Sequence, residues 1–74
     1  MINTSEVIEV LKSDKNFAKL LANAKETDVL ANIGFDSLDN MLISHLIEQA
    51  WQVKLEILGT DSISSITEKV NAQK

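Results

Sequence analysis

The chain has no cysteine. It therefore has no disulfide framework and no thiolate to act as nucleophile or metal ligand, which fits a reducing compartment. Proline is also missing, and only two glycines occur, Gly34 and Gly59. Two isolated glycines cannot build the glycine-rich loop that cradles a nucleotide phosphate. The single histidine, His45, stands without a cysteine or a repeated Glu-x-x-His pair, which argues against a zinc or dimetal centre. The acidic residues lack the spacing and the glycine of a calcium loop. No apolar run approaches the length of a bilayer span, and no charged-then-apolar leader opens the sequence. The expectation is a soluble, cytoplasmic protein with no membrane span. Basic residues are outnumbered, seven Lys and Arg against eleven Asp and Glu, for a net charge of −4 and a pI near 4.7. A phosphate backbone would be repelled, so nucleic acid is not an expected partner, and the acidic balance favours basic protein surfaces.

What remains is short and helical. Seventy-four residues make a single domain, 1–74, with one modest core and no room for a deep, water-excluding cleft. Apolar residues recur at helical spacing and not in strict alternation, which indicates an all-α domain. Asn3, Thr4 or Ser5 can cap a first helix with Val7, Val10 and Leu11 on one face. Ser13-Asp14 either ends that helix or restarts it, and Phe17, Leu20 and Leu21 carry the pattern on to about Asn23. One bent helix and two short ones both fit. Lys25 to Phe35 reads as a connecting loop pinned to the core by Val29, Leu30 and Ile33 and closed by Gly34.

The clearest element runs from about Ser37 to Gln52, with Asp36 placed as its N-cap and Asp39 favoured in its first turn by the helix dipole. Leu55, Ile57 and Leu58 then suit either a short helical turn or an extended stretch before Gly59. A last helix is expected from Ser64 or Ser65, where Ser65-Ile66-Thr67-Glu68 has capping-box spacing and Ile63, Ile66 and Val70 form a stripe. The sum is a small four-helix bundle of three main helices plus one short one.

At about 100° per residue, a core face centred on Ile43 gathers Leu46, Ile47, Ala50 and Trp51 within roughly 80°. Leu38, Met41 and Leu42 fall on the other side, near His45, Glu48 and Gln49. These three apolar side chains either pack on the preceding loop or form an exposed docking patch beside Ser37. Ser37 and His45 do not make a nucleophile–base pair, because eight residues along one helix separate them by about 12 Å. Trp51 on the core face is a packing residue. No catalytic residues and no metal site are expected, and the chain is not read as an enzyme.

Ile33-Gly34-Phe35-Asp36-Ser37-Leu38-Asp39 resembles the attachment motif of the acyl carrier protein family, of the discrete single-domain kind. Trp51 stands where that family usually has an aromatic, and Ile63, Ile66 and Val70 match the spacing of its last helix, so the resemblance covers Val29 to Val70. It implies that a phosphopantetheinyl transferase couples 4′-phosphopantetheine from coenzyme A to Ser37, with Asp36 and Asp39 supporting. It further implies a monomer that holds acyl groups as thioesters and presents them to acyl-loading and acyl-processing enzymes.

The departures carry information too. The acidic position five residues after the serine is Leu42 here, and Glu48 alone remains further along the helix. Partner contact is therefore expected through Leu38, Met41 and Leu42, with His45 and Glu48 beside them. The region before the last helix lacks the family's acidic run and proline and has Gly59 instead. A specialised polyketide, lipid or natural-product pathway is favoured over housekeeping fatty acid synthesis. The single glycine before Phe35 leans towards acyl cargo, with a peptidyl (aminoacyl) carrier as the alternative. Outside the family, the competing reading is an unmodified helical interaction module, in which Ser37 is only a cap-region residue and the apolar stripe binds a partner helix.

Overall fold

The computed structural model describes residues 1–73. Among them the protein is all-α, with five helices and no strand: α1 Thr4–Leu11, α2 Lys15–Leu21, α3 Leu30–Ile33, α4 Ser37–Trp51 and α5 Ile63–Gln73. No helix is long and apolar enough to cross a membrane among these residues.

The stretch from Thr4 to Leu21 is two helices, and local hydrogen bonds explain the break. Asn3 caps α1 by accepting the Glu6 N–H at 3.0 Å. After Leu11 the Ser13 hydroxyl donates to the Val10 carbonyl at 2.7 Å, closing the helix end. Asp14 then turns to extended geometry, and its Oδ1 accepts the N–H groups of Asn16 and Phe17. A carboxylate that satisfies two first-turn donors starts a new helix wherever it falls. Each piece buries an i, i+4 pair: Val7 and Leu11 in α1, Phe17 and Leu21 in α2.

The long connection is pinned as its aliphatics suggest. Leu30 is fully buried, while Val29 and Ile33 are half-buried. Val29 bridges Ser62, the Leu30 N–H donates to the Asp61 carbonyl at 2.8 Å, and the Ala31 N–H donates to Gly59 at 3.0 Å. The connection contains the single turn α3, which ends on Gly34 at φ 120°, a conformation open to glycine and strained for other residues.

α1 packs against both α4 and α5, and the core collects Val7, Leu11, Phe17, Leu30, Ile43, Ile47, Ile63, Ile66 and Val70. Two corrections concern α4 and α5. Of the five residues expected together on the core face of α4, Ile43 and Ile47 are buried, Leu46 and Trp51 are half-buried, and Ala50 is exposed. Asn40, about 60° from Ile43, joins the buried face near the start of α4, whereas Ala50 and Trp51 lie in its last turn, where the helix leaves the core. The last helix starts at Ile63, and its box is Ser62 with Ser65 in place of Ser65 with Glu68. The Ser62 N–H donates to Ser65 Oγ at 2.8 Å, and the Ser65 N–H donates to Ser62 Oγ at 3.2 Å.

Residues 53–58 are extended, with Val53 and Ile57 buried, so the open choice for this region resolves against a helical turn. Gln52 in the left-handed region, φ 58°, redirects the chain out of α4.

Candidate functional site

Ser37 is positioned by what precedes it. Gly34 ends α3, and Phe35 folds inward to lie edge-on to Phe17, ring centroids 5.1 Å apart. Phe35 is buried, whereas Asp36 and Ser37 emerge at the surface immediately afterwards. Asp36 then caps α4. Its Oδ1 accepts the Asp39 N–H at 2.9 Å, and Asp39 Oδ2 accepts the Asp36 N–H at 3.1 Å. This reciprocal box is worth about 1 kcal/mol as a cap.

The box relieves Ser37 of any structural duty. Its side chain is exposed at the first position of α4, and no hydrogen bond to its hydroxyl exists among the described residues. The N–H groups of Ser37 and Leu38 are likewise unbonded there, as first-turn donors are in the absence of a further acceptor. One free hydroxyl thus stands at the positive end of a 15-residue helix, beside two carboxylates.

An open groove of about 580 Å³ begins at Ser37. One wall is α4, through Asn40, Met41 and Ser44, and the other is the irregular segment Leu55 to Gly59. That second wall is not a helix, so side chains must hold it. Ser44 Oγ donates to the Leu55 carbonyl at 2.9 Å, and Glu48 Oε2 accepts the Leu55 N–H at 3.3 Å. At the far end Asp61 accepts from the Leu58 N–H at 2.9 Å, Ser65 Oγ at 2.8 Å and Lys69 Nζ at 2.7 Å. Lys69 also donates to the Glu56 carbonyl.

Burial works to raise the Asp61 pKa. The bonds from Lys69, Leu58 and Ser65 outweigh it and hold the carboxyl below its ordinary value. Lys69 is partly exposed, so solvent screens most of the ion pair and the hydrogen bonds matter more. A depressed folded-state pKa gives stability that is present above the unfolded value, about 3.9, and is lost as pH falls through the folded one. Asp61→Asn is therefore expected to lower stability by about 1–3 kcal/mol at neutral pH. The deficit should shrink below about pH 4, where the wild-type carboxylate also takes up a proton. Urea unfolding at a series of pH values checks this, and a deficit independent of pH would contradict it.

From Met41 at the rim of the groove round to Leu38 and Leu42, α4 carries apolar side chains in the open: Leu38 and Met41 are 74% and 71% exposed and Leu42 is 40% exposed. The apolar side chains beside Ser37 therefore face solvent and do not pack on the preceding loop. His45 is exposed alongside them, one turn on from Leu42. Glu48 is not part of this surface, because its carboxylate is turned to Ser44 and Leu55. Asp36, Ser37, Leu38, Asp39, Met41 and Leu42 thus gather at the N-terminal end of α4, with His45 further along the helix.

Three participants escaped sequence reasoning. Asn40 lies about 60° from Ile43 on the helical wheel, which already places it on the edge of the buried face. Asp61 and Lys69 had no such signal, since eight residues separate them across the start of α5.

Comparison of the chain with protein-family models, with curated proteins and with solved structures found no match.

Proposed function

We propose that this chain is a discrete acyl carrier protein, modified on Ser37 by 4′-phosphopantetheine. One observation supports it above the others: the Asp36–Asp39 box does the capping, so the Ser37 hydroxyl at the helix start is exposed and unbonded. In this reading α1 with α2, α4 and α5 are the three main members of a four-helix bundle and α3 is the short one.

The modification needs only a reachable hydroxyl from this chain. Ser37 Oγ forms a new bond to the phosphorus of coenzyme A that bears the pantetheine, and the phosphoanhydride bond to the nucleotide breaks. Adenosine bisphosphate leaves, and the serine proton passes to a base on the phosphopantetheinyl transferase. Asp36 and Asp39 place two carboxylates where that enzyme can hold its metal. The unbonded N–H groups of Ser37 and Leu38 favour the negative charge of the phosphodiester. When attached, the group supplies a terminal thiol that carries acyl cargo as a thioester, and the tether raises the cargo's effective concentration at partner enzymes. In this reading the carrier acts as a cytoplasmic monomer in a specialised polyketide, lipid or natural-product pathway. The single glycine before Phe35 favours acyl over aminoacyl cargo.

Partners meet the carrier through Leu38, Met41 and Leu42, whose exposure is unusual for large apolar side chains grouped beside a reactive group. Replacing the three by alanine is expected to lower kcat/KM for the transferase by about tenfold, mainly through KM, corresponding to about 1.4 kcal/mol of lost contact. Steady-state kinetics measures it, and an unchanged value would remove these residues from the interface.

The same exposed side chains also favour a second reading, an unmodified helical module that binds a partner helix. Incubation with coenzyme A and a broad-specificity phosphopantetheinyl transferase separates the two. The carrier gains the mass of one phosphopantetheine, and the module gains nothing.

A further inference from the structure

The two long connections of the fold are joined to each other, and the later one starts the short helix that leads to Ser37. The Ser64 N–H donates to the Glu26 carbonyl at 3.0 Å, and Val29 bridges Ser62. The Leu30 N–H donates to the Asp61 carbonyl at 2.8 Å, and the Ala31 N–H to the Gly59 carbonyl at 3.0 Å. The pairing runs antiparallel, from 26 with 64 to 31 with 59. Among the described residues, 25–35 make no other backbone hydrogen bond to a different part of the chain.

α3 depends on this pairing. Its first-turn N–H groups need acceptors, and no side chain caps it. The carbonyls of Asp61 and Gly59 serve in place of a cap, taking the N–H groups of Leu30 and Ala31. Leu30 is fully buried, and its own carbonyl accepts the N–H groups of Gly34 and Phe35, each at 3.1 Å. Phe35 then enters the core, and Asp36 and Ser37 follow at the surface. A path of bonds thus runs from Asp61 through Leu30 to the residues that introduce Ser37.

One side chain shapes the start of that path. Asp61 is buried, its Oδ2 accepts the Leu58 N–H at 2.9 Å, and its own N–H donates to the Leu58 carbonyl at 2.9 Å. These two bonds close residues 58–61 into a turn, and Ser65 and Lys69 hold the same carboxylate against α5. The closed turn directs the Gly59 and Asp61 carbonyls to α3. Alanine at 61 would remove the acceptor shared by Leu58, Ser65 and Lys69 at one stroke. Asparagine would lose the ion pair but keep an acceptor for the Leu58 N–H.

We propose that Asp61 is a positioning residue for the modification of Ser37, acting through Leu30 and α3. The proposal rests on Ser37 being the attachment point. Among the described residues the Asp61 side chain bonds Leu58, Ser65 and Lys69 only, so its effect on the serine is indirect. The cause is preorganisation. A connection already held in one arrangement needs less ordering when the transferase docks on it. Releasing that connection raises KM for the carrier and leaves kcat as it is, because the bound complex is the same.

The test compares wild type, Asp61→Ala and Asp61→Asn as full chains, with coenzyme A and a broad-specificity phosphopantetheinyl transferase. Circular dichroism and urea unfolding establish that each is folded in the assay. Sucrose added to all three strengthens burial and keeps a weakened variant folded. Amide hydrogen exchange reads the link itself: in Asp61→Ala, exchange at Leu30 and Ala31 should rise about tenfold relative to Val70 inside α5. KM for Asp61→Ala is expected to rise about fivefold with kcat unchanged. Asp61→Asn should recover most of that loss although it is less stable than wild type. A side chain that served stability alone would leave KM unmoved in every folded variant.

Wild type that gains the group, with KM unchanged in Asp61→Ala, would overturn the proposal and leave the carrier reading standing. Unchanged exchange at Leu30 and Ala31 would overturn it too, by breaking the path at its first step. A loss confined to kcat would move Asp61 out of the positioning role, and an Asp61→Ala that does not fold even in sucrose would make the residue structural. Both results count against the proposal. No mass gain in wild type would overturn it together with the carrier reading.

Discussion

Ser37→Ala is expected to abolish uptake of phosphopantetheine while leaving the fold as it is. The two halves of that expectation have separate causes. Uptake is lost because the Oγ that would form the phosphodiester is gone, and among the described residues no other hydroxyl lies within a reciprocal Asp–Asp box at a helix start. Ser62 and Ser65 are tied into their own box at the start of α5, Ser44 donates to Leu55, and Ser13 donates to Val10. The fold survives because the Ser37 side chain is exposed and bonds nothing among the described residues, and alanine is the better helix former. The stability change should stay within about 0.5 kcal/mol by urea unfolding. Intact mass after incubation with coenzyme A and transferase reads the other half. A variant that still gains the group would move the attachment point elsewhere, and a variant that unfolds would make Ser37 structural.

Phe35→Ala is expected to have the largest effect on stability. Phe35 is buried edge-to-face on Phe17, and it joins the turn of α3 to the start of α4. Truncating a buried phenylalanine costs about 3–5 kcal/mol in lost transfer and cavity terms. Loss of the aromatic pair makes up about 0.5–1.5 kcal/mol of that. Small domains are stable by only about 5 kcal/mol or slightly more, so the variant should sit near its unfolding midpoint at room temperature. The residue also fixes where the chain surfaces: Phe35 points in, and Asp36 and Ser37 point out. Urea titration followed by circular dichroism measures the loss. A loss below 1 kcal/mol would mean that Phe35 does not anchor the site.

The start of α4 was legible because its signals are local. Asp36 three residues before Asp39 is a capping pattern at one-turn range, and the structure carries both of its bonds. Gly34 is read equally directly, since it is one of two glycines and takes the positive φ. The helical class followed from periodicity alone. What could not be read depends on contacts between distant residues. Whether Ser13-Asp14 ended or restarted a helix was undecidable from pattern, because Asp14 can cap only once Phe17 and Leu21 have a core to enter.

The exposure of Ala50 was missed for the same kind of reason. A helical wheel centred on Ile43 gives the face of each residue and not where along its length α4 leaves the core. Glu48 was placed with the docking patch because it is charged and near Met41 on the wheel, yet a backbone N–H from Leu55 draws it the other way. The box at the start of α5 was misassigned by preferring glutamate as the reciprocal partner, a role that the Ser65 hydroxyl fills. In the last two cases the deciding partner lies on an irregular segment or is a residue type that serves many roles.

The central claim is that Ser37 carries a phosphopantetheine arm in the cell. Mass spectrometry of the protein purified from its own host, with fragmentation to locate any added group, tests it most directly. The expected result is a population bearing one phosphopantetheine, with or without cargo on its thiol, located on the peptide that contains Ser37. A protein that carries no such group from its host, and takes none up from coenzyme A with a broad-specificity transferase, would contradict the claim and leave the helical interaction module in its place.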